Sequence, residues 1–88
     1  MTKKEIIIIL IATLGELQDL SGEAQCDITP KTIPIGGLSG FDSLRALELN
    51  TMLEPRLQKS IDDFDLFRNA NDNSPLTVED VADKLLHL

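Results

Sequence analysis

The residue of this chain best suited to chemistry is Ser43. It lies in Gly40-Phe41-Asp42-Ser43-Leu44, where a glycine-bearing stretch gives way to an amphipathic run that continues Arg45-Ala46-Leu47-Glu48-Leu49. Ser and Asp are favoured at helix starts because their side-chain oxygens accept from the first, otherwise unpaired backbone N–H groups. The same N–H groups, with the helix dipole behind them, favour a phosphoryl group at that end. The Ser43 hydroxyl is therefore well placed to carry a phosphoryl-linked group. The plainer role for Asp42-Ser43 is an ordinary helix cap. A bare Asp-Ser-Leu arises by chance in roughly 3 per cent of chains this long, so the tripeptide has meaning only in the company of the other elements.

Other chemistry-bearing residues are few. Cys26 is the only cysteine and His87 the only histidine. One of each makes neither a zinc site nor a nucleophile–base pair. Asp62, Asp63 and Asp65 alternate with Phe64 and Leu66, but they lack the ligand spacing and turn glycine of a calcium loop. They read as a solvated acidic face. No catalytic constellation emerges, and the chain is not expected to be an enzyme.

The 88 residues are expected to form one domain, 1–88. Phe is the only aromatic type, so the core must come mainly from Leu, Ile and Val. The formal charge of −7, from 15 acidic and 8 basic residues, argues against nucleic acid, which needs a basic footprint. It suits a protein that meets basic patches on partners. A lone cysteine permits no internal disulfide, and a reducing, cytoplasmic setting is expected. Lys3-Lys4-Glu5 before the apolar run Ile6–Ala12 has the look of a signal peptide's opening. The run is short, and Thr13-Leu14-Gly15-Glu16 offers no small-x-small cleavage site. It is also far short of a membrane span, so it is expected to open the folded domain.

The elements that would position Ser43 follow from periodicity. Ile7, Leu10, Ile11, Leu14 and Leu17 recur at helical spacing and predict a first helix over 3–20. Thr2 and Glu5 would form a capping box, and Ser21-Gly22 a stop. From Ser21 to Phe41 no period holds. Pro30, Pro34, Gly36, Gly37 and Gly40 mark a long loop, with a short strand at Thr32–Ile35 as an alternative. Its apolar Ile28, Ile33, Ile35 and Leu38 are expected to tuck onto the core.

A second helix begins at Asp42 or Ser43 and buries Ala46, Leu49, Leu53 and Leu57, with Asn50 beside them. It is expected to kink near Thr51–Pro55, because proline lacks an N–H and crowds the preceding turn, and to continue to about Lys59. Leu44 and Leu47 fall off the buried stripe. They are either ordinary surface or a docking patch. A short helical turn is expected around Asp63–Arg68. A last helix opens at Thr77 and buries Val78, Val81, Ala82, Leu85 and Leu86. The whole reads as a small all-α bundle of three main helices plus a short one.

This layout resembles the acyl and peptidyl carrier proteins, small four-helix domains that carry 4′-phosphopantetheine. The matching pieces are the amphipathic first helix, the long Pro/Gly loop and Gly40-Phe41-Asp42-Ser43-Leu44 opening the second helix. A short third helix and Thr77-Val78-Glu79-Asp80-Val81-Ala82 opening the last complete the match.

The resemblance implies that Ser43 takes the prosthetic group through a phosphodiester. It implies that Asp42 helps present Ser43 to a phosphopantetheinyl transferase and its Mg²⁺, and that Leu44 docks with partner enzymes. The arm's thiol would hold acyl or aminoacyl groups as thioesters for loading and condensing enzymes. A monomer is expected, with no nucleic-acid partner and no membrane span. One departure stands out: between Ser43 and Ser60 there are two acids, Glu48 and Glu54, and three bases, Arg45, Arg56 and Lys59. Many fatty-acid carriers are strongly acidic there, so a specialised aminoacyl, peptidyl, polyketide or lipid-modifying carrier is an option. Arg45, within about 10 Å of the Ser43 oxygen by helix rise and side-chain reach, joins Leu44 and Leu47 as a candidate docking residue. The alternative is a helical interaction module that uses Leu44 and Leu47 without any cofactor.

Overall fold

The structure is a computed structural model and describes residues 1–23, 27–61, 66–69 and 71–87. Four helices are described: α1 (Lys3–Leu20), α2 (Pro34–Gly37), α3 (Ser43–Leu57) and α4 (Val78–Leu86). The fold is all-α, and no strand occurs among the described residues. The nearest approach to one is an isolated antiparallel bridge between Arg68 and Pro75. The alternative strand at Thr32–Ile35 is therefore not formed. Pro34 instead opens the four-residue α2, a single turn whose backbone is not helical at Ile35 (φ −75°, ψ 115°) and Gly36 (φ 89°, ψ −20°), closed by Leu38 N–H donating to the Pro34 carbonyl at 3.0 Å.

Helix α1 begins and ends as the sequence predicts. Thr2 Oγ1 accepts from Glu5 N–H, and the Glu5 carboxylate accepts from Thr2 N–H, a complete capping box. At the other end Gly22 N–H donates to Asp19 O and Glu23 N–H to Gln18 O. These two bonds define a Schellman turn, and Gly22 supplies the left-handed residue it needs at φ +74°. The buried face is rotated from the expected stripe. Ile6, Leu10, Leu14 and Leu17 are buried, whereas Ile7 and Ile11 are half-buried; Ile8, which lies off the expected stripe, is 59% exposed. The face also takes in Thr13 and Gln18, because both find partners. Thr13 Oγ1 donates to Ile9 O and accepts from Arg56, and Gln18 Nε2 donates to Ser39 O. Periodicity reads only hydrophobicity and cannot see these distant partners; Gln18 Oε1, by contrast, is buried with no partner among the described residues.

Helix α1 packs against both α3 and α4. From α3 it receives Ala46, Leu49, Leu53 and Leu57, all buried as expected, and from α4 Val78, Val81, Ala82 and Leu85. Leu86, expected on that stripe, is only half-buried. Helix α3 runs through Pro55 and stops at Leu57, short of the expected Lys59, because Gln58 turns left-handed at φ 55°. Leu38, Phe41, Ile61, Leu66 and Phe67 close the cluster, with Phe41 and Phe67 meeting edge to face at 5.4 Å.

The expected turn at 63–68 falls largely outside the described residues, as do Cys26, Asp62, Asp63 and Asp65. The short helix that is described lies earlier, in the stretch expected to be irregular throughout. The long loop is tied to α4. Thr32 and Pro30 carbonyls accept from Val78 and Glu79 N–H, which satisfies two donors that the helix itself leaves open. No helix is long and apolar enough to cross a membrane among the described residues.

Two outcomes test this packing. Leu53→Ala removes a fully buried side chain and should cost about 2–5 kcal/mol. Leu47→Ala removes one that is 39% exposed and should cost less than about 1 kcal/mol. Paired urea melts compare them, and equal losses would mean that α3 is rotated differently.

The second outcome concerns Glu16. Its hydrogen bond to Arg56 holds its carboxyl below the ordinary glutamate range and raises the Arg56 guanidinium. A carboxyl lowered on folding stabilises the fold above its unfolded pKa. The contribution disappears as pH falls through the folded value. Glu16→Gln should therefore lower the melting temperature slightly at neutral pH and by less at about pH 3. Thermal melts of both proteins at the two pH values read this directly.

Candidate functional site

The five candidate residues come together at the start of α3. Asp42 is the N-cap, in extended conformation, and its Oδ1 accepts from Arg45 N–H at 3.0 Å. That bond satisfies one of the open donors of the first turn. Ser43 is the first helical residue. Its side chain is exposed, and its hydroxyl makes no hydrogen bond to a described residue. Division of labour between the two follows: Asp42 caps the helix, which leaves the neighbouring hydroxyl unengaged.

Leu44 is 65% and Leu47 39% exposed, one turn apart on the outer side of α3. They stand away from Ala46, Leu49 and Leu53, which are buried. Two large apolar side chains lie in water beside the Ser43 hydroxyl and form a small exposed apolar patch. Arg45 does not extend into solvent as a free charge. Its side chain is 24% exposed and its Nη2 lies 3.8 Å from Glu23 Oε1.

Leu38, expected to tuck onto the core, and Gly40 and Phe41 of the motif position this turn together with Glu23 and Ser39, for which the sequence suggested no role. Phe41, immediately before the cap, is buried, as is Leu38 three residues earlier, and Phe41 N–H donates to Leu38 O at 3.2 Å. Ser39 and Gly40 between them are exposed. The turn is joined to α1 at two points: Gln18 Nε2 donates to Ser39 O at 2.9 Å, and Ser39 Oγ donates to Glu23 Oε2 at 2.9 Å. Gly40 adopts φ +69°, and a Cβ there would come within 2.9 Å of the Glu23 carboxyl carbon. The positive φ is what favours glycine here, and the space beside it is taken by the flexible end of the Glu23 side chain. The only sequence signal for Glu23 was its place just after the Ser21-Gly22 stop, which says nothing of what its side chain meets.

No group of three or more metal-ligating side chains lies together among the described residues. The arrangement has an exposed alcohol at a helix N-terminus, a capping carboxylate beside it and an apolar flank. An alcohol so placed can be esterified by a phosphoryl donor that another protein supplies. The carboxylate of the adjacent residue, Asp42, is engaged with Arg45 N–H.

Searches against protein-family models, curated proteins and solved structures found no match to this chain.

Proposed function

We propose that the chain is a carrier protein that holds acyl or aminoacyl groups on a 4′-phosphopantetheine arm attached to Ser43. The observation that carries this reading is the exposed, unengaged Ser43 hydroxyl at the first position of α3, one residue after the capping Asp42. Support also comes from the order of elements around it: a long amphipathic helix, a long loop anchored at both ends, and a terminal helix capped by Thr77.

The residues present fit such a group. Ser43 would hold it through its Oγ, and the open N–H groups of the α3 first turn favour the negative charge of a phosphodiester. When bound, the group supplies a thiol that forms thioesters with acyl or aminoacyl cargo. Attachment makes the Ser43 Oγ–phosphorus bond as the pyrophosphate bond of coenzyme A breaks. The hydroxyl proton passes to a base of the transferase, and the adenosine bisphosphate half departs. Within this chain, Asp42 keeps the first turn formed and Phe41 anchors the residue before it. Leu44 and Leu47 offer the apolar surface on which a transferase or loading enzyme would rest, with Arg45 beneath them. Partner enzymes select the cargo.

Incubation with coenzyme A and a broad-specificity phosphopantetheinyl transferase should add one phosphopantetheine to the protein, read by intact mass. Ser43→Ala should abolish the addition while leaving the helical circular dichroism nearly unchanged. Labelling that survives in this variant would move the attachment elsewhere. A wild-type protein that takes no label would leave Leu44 and Leu47 as the surface of a module without a cofactor.

A further inference from the structure

We propose that Glu23 is a positioning residue for Ser43: its carboxylate latches the end of α1 to the Ser39–Gly40 turn and to Arg45, and so holds the Ser43 hydroxyl in place for modification. The inference rests on the carrier reading and deepens it.

The backbone of Glu23 is set by α1. Its N–H closes the Schellman turn onto Gln18 O at 3.0 Å, one residue after Gly22 at φ +74°. The side chain leaves this rigid corner at 24% exposure and reaches three partners. Oε2 accepts from Ser39 Oγ at 2.9 Å, Oε1 lies 3.8 Å from Arg45 Nη2, and the carboxyl group packs where Gly40 has no Cβ. Gln18 reinforces the same join through Ser39 O. One carboxylate thus touches residues 39, 40 and 45, which bracket Ser43.

Arg45 links this latch to the cap. Its backbone N–H donates to Asp42 Oδ1, while its guanidinium faces Glu23. Arg45 Nη1 is buried and donates to no acceptor among the described residues. Glu23 is therefore the counter-charge that keeps a largely buried guanidinium folded back onto the loop. A buried charge left without its partner moves to water where it can. With Glu23 gone, Arg45 would swing outward and the Ser39–Gly40 turn would lose its tie to α1. The core face of α3, held by Ala46, Leu49 and Leu53, would remain. What loosens is the segment from 39 to 45, and a small displacement of a reacting hydroxyl costs rate steeply.

The test uses the whole chain, with Glu23→Ala and Glu23→Gln. Two quantities are read: the steady-state rate of phosphopantetheine addition to Ser43, and amide hydrogen exchange along the chain. For Glu23→Ala the expected result is a fall in kcat of about tenfold, with KM for coenzyme A unchanged. Amides of residues 40–45 should exchange faster, while those of Leu10 and Leu14 in α1 should not. Glu23→Gln retains an acceptor for Ser39 and the packing on Gly40, and should recover part of the rate. If Glu23→Ala also loosens α1, Glu23→Gln decides: faster exchange confined to 40–45 with a reduced kcat supports the latch, and wild-type values of both overturn it. Wild-type labelling with an unchanged rate in Glu23→Ala overturns the latch and leaves the carrier reading standing. A slower rate with unchanged exchange at 40–45 also overturns it, because Glu23 would then act on the transferase and not on the turn. A wild-type protein that is never labelled at Ser43 removes the carrier reading and the latch together.

Discussion

The position of α1 between α3 and α4 is the interaction on which the rest depends. A chain of 88 residues with three Phe and no Trp or Tyr has little volume with which to fill a core. It must bury aliphatic side chains completely. Leu10 and Leu14 do so from α1, Leu49 and Leu53 from α3, Val81 and Leu85 from α4. Each such side chain contributes about 1.5–3 kcal/mol relative to exposure, so each one carries a sizeable share of the stability of a fold of this size. The same packing fixes the rotation of α3 about its axis. Once Ala46, Leu49, Leu53 and Leu57 face α1, Leu44 and Leu47 must face water. The apolar patch beside Ser43 is therefore a consequence of the core and cannot be turned inward without dismantling it.

Helix ends create the second constraint, and the long loop answers it. Each helix leaves donors at its start and acceptors at its end. Thr2 with Glu5, Asp42 and Thr77 cap the three long helices with side chains. The loop then supplies Thr32 and Pro30 carbonyls to the start of α4. Lys59 Nζ donates to Leu85 O at the end of α4, where a cation also suits the dipole. The loop is thus stapled to α4 in its middle and to α1 near its end, through Gln18, Glu23 and Ser39. A segment without periodicity becomes a fixed strut whose last residues deliver Asp42 and Ser43. Its apolar residues divide accordingly: Leu38 is buried beside the site, whereas Ile33 is 40% exposed.

What the sequence made legible was whatever depends on neighbours in the chain. The caps Thr2, Asp42 and Thr77 read correctly because capping is a local hydrogen bond over three residues. The α3 stripe read correctly because it faces one way and is apolar but for Asn50 beside it. Helix α1 read less well, since it is covered from two sides and its buried face admits Thr13 and Gln18, whose partners Arg56 and Ser39 lie 43 and 21 residues away. For the same reason Glu23 gave no signal: its meaning comes from Ser39, Gly40 and Arg45, which only the folded loop brings to it. The left-handed Gln58 that ends α3 early was also invisible, because nothing in its side chain demands that conformation.

The charge beside Ser43 follows from the packing as well, and it differs from the charge counted along the chain. Three bases against two acids over α3 and its end suggest a surface that repels basic partners. In the fold each base turns to a partner. Arg45 meets Glu23, Arg56 meets Glu16 and Thr13, and Lys59 meets the Leu85 carbonyl. A guanidinium and a carboxylate 3.8 Å apart act at the Debye length of about 8 Å as a dipole and no longer as a net positive charge. Asp42 and Glu48, by contrast, are exposed, and the chain as a whole carries −7. The field that an approaching protein meets around Leu44 and Leu47 is therefore set more by these acids than by Arg45. On the carrier reading, a partner with a basic rim around an apolar contact is matched by this surface. The basic residues of α3 then serve to hold the helix against α1 and the loop, and Glu23 both steadies the turn and removes the one charge that would have opposed such docking.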